Sequence, residues 1–174
     1  LLFTHIGKPH CYNCGNEISK QTVDEIIQKI NEIPMKTKIM ILAPKVFNRK
    51  GEYKKLFQEI QKNGFTRVFV DEKLYDLQEE EIELDKNKKH NIDVVIDRLI
   101  IKDGIEKRLA DSVETALHEG DGILKVYHIK NEESVVFSER HACMDCGISY
   151  QDVSPQLFSF NSPIGMCQEC NGLG

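Results

Sequence analysis

The chain has 174 residues, 40% hydrophobic and 29% charged, enough for a buried core in one ordinary domain or two small ones. Its net charge of −5, from 23 Lys and Arg against 28 Asp and Glu, argues against a dedicated nucleic-acid-coating domain and leaves room for a local basic patch. No apolar run of about 18 residues is present to span a membrane, and no signal peptide is visible.

The chain begins without Met inside LLFTHIG and closes on CNGLG just after a cysteine pair, so it is expected to be a segment of a longer protein. Residues 1–20 read as a lead-in that carries HCYNCG. From Gln21 the spacing of Val23, Ile26, Ile27 and Ile30 predicts a helix that ends before Pro34. Lys38 to Val46 reads as a buried strand and Asn48 to Gly51 as a turn. Glu52 to Gly64 predicts a helix with Leu56, Phe57 and Ile60 inward and Gly64 as its stop. FTRVFVD (Phe65 to Asp71) is a strand, with a short return strand near LYDL.

An acidic run, Glu79 to Asp85, is answered by KNKKH (Lys86 to His90), read as a solvated loop or ribbon edge. Ile92 to Ile101 is the clearest strand. Leu109 to Leu117 is helical, because Leu109, Val113, Ala116 and Leu117 share a face. Strands at Ile123 to Ile129 and Ser134 to Ser138 follow. The fold class is therefore α+β, a mixed sheet of about five strands with about three helices over residues 21–138. A loop-rich module over 139–174 needs a staple to hold it.

Six cysteines fall as three C-x-x-C pairs, which favours metal in a reducing cytoplasm over a disulfide scaffold. Cys143, Cys146, Cys167 and Cys170 have the spacing C-x2-C-x20-C-x2-C. Four thiolates close a zinc coordination sphere and make such a site structural rather than catalytic. Cys11 and Cys14 are then left without an internal partner pair. A redox pair, completion by His5 and His10, and ligands elsewhere in a longer chain are the three readings. No phosphate loop of the G-x-x-x-x-G-K-[ST] type occurs, and His90, His118, His128 and His141 are scattered.

Alternation in FTRVFVD places Val68 and Val70 on one face and Phe65, Arg67 and Phe69 on the other. An arginine between aromatics is typical of a binding surface. Arg98 ends a near-continuous apolar strand, and its nominal face is shared with Val94 and Ile96, so its side stays open. Local salt bridges are the alternative role for both arginines.

FSERHACMDCGISYQDVSPQLFSFNSPIGMCQECNGLG, with LFSFNSP between two C-x-x-C knuckles, resembles the UvrA family of bacterial nucleotide excision repair. The likeness continues in order through the first knuckle, ILAPKVFNRKGEY, GFTRVFVD, KNKKHNIDVVIDRLIIKDG and RLADSVETAL, essentially the whole chain. It implies a lead-in at 1–20, a UvrB-binding domain at 21–138 and the start of a zinc-bearing signature domain at 139–174.

By the family pattern, Arg67 and Arg98 would grip UvrB, with Phe65 or Phe69 as apolar contacts. Cys11 and Cys14 would be half of a second Zn2+ site whose partners lie downstream of Gly174. ATP and Mg2+ would bind only in the longer protein, an ABC-type ATPase expected to be a cytoplasmic homodimer that reaches DNA. Two positions depart from the pattern: Ser154-Pro155-Gln156 stands where the family usually has Glu-Pro-Arg, and Cys14 where some relatives carry His. The alternatives from other classes are a stand-alone zinc-stabilised nucleic-acid-binding domain using KNKKH, and a thiol oxidoreductase acting through Cys11.

Overall fold

A computed structural model describes residues 6–18, 20–141, 143, 146, 150, 155–159, 166, 169 and 170, without the side chain of residue 157. The chain divides into two compact units, Leu1–Lys20 with Arg140–Gly174, and Gln21–Glu139.

In the second unit, α1 (Val23–Asn31) starts at a capping box. The Glu25 N–H donates to Thr22 Oγ1 (3.2 Å) and the Thr22 N–H to Glu25 Oε2 (2.8 Å), so two amides of the first turn are satisfied. There follow β1 (Lys38–Lys50), α2 (Lys54–Lys62), β2 (Arg67–Val70), β3 (Lys73–Asp76) and β4 (Lys89–Ile100). Then come α3 (Glu106–Glu119), β5 (Ile123–His128) and β6 (Glu133–Ser138). At the end of α3 a Cβ on Gly120 would lie 1.9 Å from the Ile123 carbonyl oxygen, so only glycine fits there.

The strands form one sheet in the order β3-β2-β4-β1-β5-β6. The α+β class with three helices stands. The sheet is antiparallel at every pairing rather than mixed, and has six strands because the return near LYDL is a full partner of β2.

All three helices cover one face. Ile26 and Ile30 of α1 and Leu109, Val113 and Ala116 of α3 pack over Ile39, Ile41, Leu99 and Leu124. Phe57 and Ile60 of α2 pack over Ala43, Val68, Val70, Ile92 and Val94. Burial of these branched side chains is the main stabilising term of the unit.

The turn expected at Asn48 to Gly51 is instead mostly strand. β1 runs on to Lys50, with Arg49 opposite His90 and Lys50 opposite Lys89. Asn48 takes a left-handed φ of 51° at a register shift, and its N–H is satisfied by Asn91 Oδ1 at 2.8 Å. A bulge and a turn use the same residue types, which is why the local sequence reads as a turn.

The β2–β3 hairpin turns through Asp71 (φ 48°) and Glu72 (φ 68°), both left-handed without glycine. The Asp71 carboxylate offsets this cost by accepting from the Asn91 N–H (2.8 Å) and from Nδ1 of His90 (2.6 Å). Nε2 of the buried His90 meets the Asp85 carbonyl oxygen at 2.9 Å. Both ring nitrogens face acceptors, so the imidazolium satisfies both contacts. The Asp71 carboxylate first, then the Asp85 carbonyl, raise the His90 pKa against the opposing effect of burial.

A raised folded-state pKa contributes stability that is full below the unfolded histidine value and is lost as pH rises through the folded one. The free energy of urea unfolding should therefore decline as pH rises above the ordinary histidine range. In His90→Gln that decline should be smaller; an identical slope in both proteins would show that the clamp does not titrate with folding.

Candidate functional site

In the first unit the segment around Cys11 folds into a tight turn. The Gly15 N–H donates to the Cys11 carbonyl and the Cys11 N–H to the Asn16 carbonyl, each at 2.8 Å, with Gly15 left-handed at φ 78°. That reversal aims Cys11 and Cys14 the same way. Their thiols meet those of Cys143 and Cys146, and the four Sγ atoms lie within 4.8 Å of one another. Cys14 Sγ and Cys143 Sγ are 3.4 Å apart. A tetrahedral zinc with bonds of about 2.3 Å sets its sulfurs about 3.8 Å apart, so the cluster fits such an ion. Cys11 and Cys143 are buried.

Among the described residues Cys11 and Cys14 thus group with Cys143 and Cys146, whereas their partners were expected outside the segment. Cys143 and Cys146 were expected to close on Cys167 and Cys170. Cys167 lies outside the described residues, as do His5 and Ser154, and Cys170 is half-buried and not one of the four. His10 is exposed, with Nδ1 at 2.8 Å from the Lys8 carbonyl oxygen, and does not complete the set.

The physical reason is topological. The two ends of the Gln21–Glu139 unit meet, the Gln21 N–H donating to the Ser138 carbonyl at 2.9 Å. Knuckles far apart in sequence can therefore be neighbours, and spacing along the chain does not reveal it.

Two side chains not anticipated from the sequence serve the sulfurs. Tyr150 Oη donates to Cys11 Sγ at 3.0 Å and Asn13 Nδ2 to Cys146 Sγ at 3.2 Å. The Tyr150 hydroxyl is the main cause that lowers the Cys11 thiol to about 6, with burial opposing. At Cys14 a backbone hydrogen bond from Asn16 lowers the pKa, but Cys143, burial and the other thiols outweigh it and push the thiol up to about 12. Four crowded thiols thus compete for negative charge, which is the condition a dication relieves.

In the second unit the sheet face away from the helices carries the arginines. Met40, Leu42, Phe69 and Val95 are buried there, and among the described residues no helix packs on them. The Phe69 and Tyr127 rings meet at 4.8 Å although β2 and β5 are separated by two strands, and so close over the patch. Beside them Lys125 Nζ donates to both Asp93 oxygens, at 2.9 and 2.8 Å. Burial raises the Asp93 carboxyl while Lys125 opposes.

Arg67 is exposed on this face, with Nε donating to Asp76 Oδ2 at 3.2 Å; the arginine side chain keeps 49% of its surface in solvent, so the pair adds little stability. Phe69 lies in the floor of the face. Phe65 does not share it: it precedes β2, so strand alternation does not govern it, and it packs partly against the α2 cluster.

Arg98 reaches the same face through a β-bulge. Leu42 pairs with Val95 but Ile41 pairs with Asp97, leaving Ile96 unpaired. Ile96 and Asp97 both face the helices, and the alternation beyond them is reversed, so Arg98 stands opposite Met40. The bulge is pinned by Asp97. Its carboxylate accepts from Arg108 Nε (2.9 Å) and Nη2 (2.7 Å), from Ser112 Oγ (2.9 Å) and from the Arg98 N–H (2.7 Å). Burial pushes the Asp97 carboxyl up, but these bonds outweigh it and hold it below the usual range.

The Arg98 guanidinium makes no ion pair among the described residues. Leu74, opposite Phe69, and Ile100, two residues beyond Arg98, add exposed apolar surface to the same face. Neither was singled out in the sequence, where both sit in unremarkable strand runs.

The sequence matches the family described as "UvrA interaction domain" over residues 21–130. It is 52% identical over all 174 residues to the UvrABC system protein A of Clostridium perfringens and to that of Clostridium acetobutylicum. The figure is 48% for the UvrABC system protein A of Bacillus subtilis. The chain spans 18% of the length of each of these relatives.

Asp97→Ala should destabilise the unit by about 2 kcal/mol, since it strands hydrogen-bond donors on β4 and α3. Hydrogen exchange at the Arg98 amide should quicken more than at Val94. Unchanged protection at Arg98 would mean that the carboxylate does not hold the bulge.

Proposed function

This chain belongs to the UvrA family, and we propose that it is the part of a UvrA protein that docks UvrB and braces the surrounding ATPase with structural zinc. The carrying observation is that Arg67 and Arg98 lie at one end of one sheet face, within the span that matches the interaction domain. Arg67 is one step beyond the Val68–Val94 pair, beside Val95, and Arg98 is the next residue of β4 on that side. The two guanidiniums flank apolar surface supplied by Leu74, Ile100 and the Phe69–Tyr127 pair. A partner that fits presents carboxylates around an apolar knob. Charge complementarity of this kind sets association rate and register.

The longer protein would be an ABC-type ATPase acting in nucleotide excision repair in the cytoplasm, as a homodimer on DNA. ATP and Mg2+ would be held outside this segment. No helix among the described residues is long and apolar enough to cross a membrane.

Cys11, Cys14, Cys143 and Cys146 would hold the zinc, supplying four thiolates and leaving no position open for water. In that state the ion cross-links two distant stretches of chain, and its chemistry is structural.

Arg67→Glu and Arg98→Glu should each weaken UvrB binding roughly 30-fold, about 2 kcal/mol, with thermal stability unchanged. Wild-type affinity in both variants, read by titration calorimetry, would sink the docking proposal. For the metal, the Cys11→Ser, Cys14→Ser double variant should lose a zinc that the wild type retains after dialysis. Full retention would instead return Cys143 and Cys146 to Cys167 and Cys170.

A further inference from the structure

β1 and β4 are 13 and 12 residues long, whereas β2 has 4 and β5 has 6. β5 pairs with β1 only over Ile39 to Leu42, and β2 pairs with β4 only over Ile92 to Val94. The last pairs of the ladder, Arg49 with His90 and Lys50 with Lys89, therefore form a two-stranded ribbon with no strand on either side among the described residues. The ribbon is basic. Lys50 stands directly across from Lys89, an arrangement that destabilises a ladder. Lys86 and Lys88 lie in the turn that enters β4, and Lys54 and Lys55 open α2 just after β1 leaves the ribbon.

α2 has no acidic residue in its first turn, so its two lysines sit unfavourably at the positive helix end. All these cations are exposed, and none makes an ion pair among the described residues, in contrast to Lys45, Arg67, Arg108 and Lys125.

The tip is also held in shape. The Asn87 N–H donates to Asp85 Oδ1 (2.9 Å) and the Lys88 N–H to the Asp85 carbonyl (3.1 Å), the same carbonyl that His90 meets from inside. The lysines are thus presented on an ordered turn rather than a loose tail.

The acidic run Glu79 to Asp85, whose carboxylates are exposed, leads into the turn, yet none of them is ion-paired with these lysines among the described residues, so the ammonium groups remain available to an outside anion. A protein partner would need apolar surface at the centre of the contact. The large exposed apolar side chains of the described residues (Leu74, Ile100, Met35 and Val135 in this unit) are elsewhere. A band of ammonium groups without an apolar centre fits a polyanion of regular charge.

We propose that the β1–β4 ribbon tip is a phosphate-contacting surface for duplex DNA, separate from the arginine-bearing face. Lysines act there as point charges on the backbone and carry no base readout. The contact would therefore be independent of sequence and steeply sensitive to salt.

The test uses the full chain, fluorescein-labelled duplexes of two unrelated sequences, and anisotropy titrations over a range of salt. Wild type should bind both duplexes alike. The variant Lys50→Gln, Lys86→Gln, Lys88→Gln, Lys89→Gln should bind both more weakly. Its slope of log affinity against log salt should be shallower by about 0.9 for each phosphate that is no longer neutralised. None of these four side chains makes a hydrogen bond or ion pair among the described residues, and removing like charge should leave the melting temperature equal or higher.

Lys54→Gln, Lys55→Gln provides an independent second variant at the same tip, expected to act in the same direction. UvrB affinity should be unchanged in both. Absence of DNA binding by wild type, or wild-type affinity and slope in both variants, would overturn the proposal. So would loss of UvrB binding with DNA binding intact, which would assign the tip to a protein contact.

Discussion

Antiparallel pairing of β1 with β4 runs from Lys38 opposite Ile100 at one end to Lys50 opposite Lys89 at the other, and most of the domain is arranged by it. Its inward side chains, such as Ile39, Ala43, Ile92 and Leu99, form the floor on which all three helices pack. Its outward side chains, such as Met40, Leu42 and Val95, form the floor of the arginine-bearing face. The register shifts along it are not imperfections. One of them decides which way Arg98 points, and others shape the ribbon that carries Lys50 and Lys89. A ladder this long, with regular pairing throughout, would keep Arg98 on the side of Val94 and Ile96, under the helices.

Elements whose signals are local were legible in the sequence. The spacing of Ile26 and Ile30 and the Leu109-to-Leu117 face each identify a helix without help from the rest of the chain. Alternation around Val68 and Val70 places Arg67 on the outward face. What was not legible depends on pairing between distant residues. Asn48 to Lys50 has turn chemistry, and only its partnership with His90 and Lys89 makes it strand. Phe65 looked like part of an alternating run, but β2 starts two residues later. The side taken by Arg98 could not be read, because the bulge at Ile96 is held by Arg108 and Ser112 from another element.

The cysteines teach the same lesson more sharply. Grammar along the chain is strong for each C-x-x-C pair and silent about which pairs combine. Spacing favoured Cys143 and Cys146 with Cys167 and Cys170, the nearest pair in sequence. Among the described residues the fold brings Cys11 and Cys14 to Cys143 and Cys146, across a separation of 129 residues between Cys14 and Cys143. The donors to the sulfurs follow the same division: Asn13 sits inside its knuckle and is a local feature, whereas Tyr150 reaches Cys11 from 139 residues away.

The hydrogen bond between Gln21 and Ser138 has a consequence for the chain on either side. Loop closure costs free energy that depends on the distance between the ends and grows with the logarithm of flexible length. Once the interaction domain has folded, its ends are adjacent, so the knuckles see its whole length as a short connection. The order of events is then constrained. The cysteine cluster can assemble with little entropic penalty after the domain has formed, and only with a large one before it.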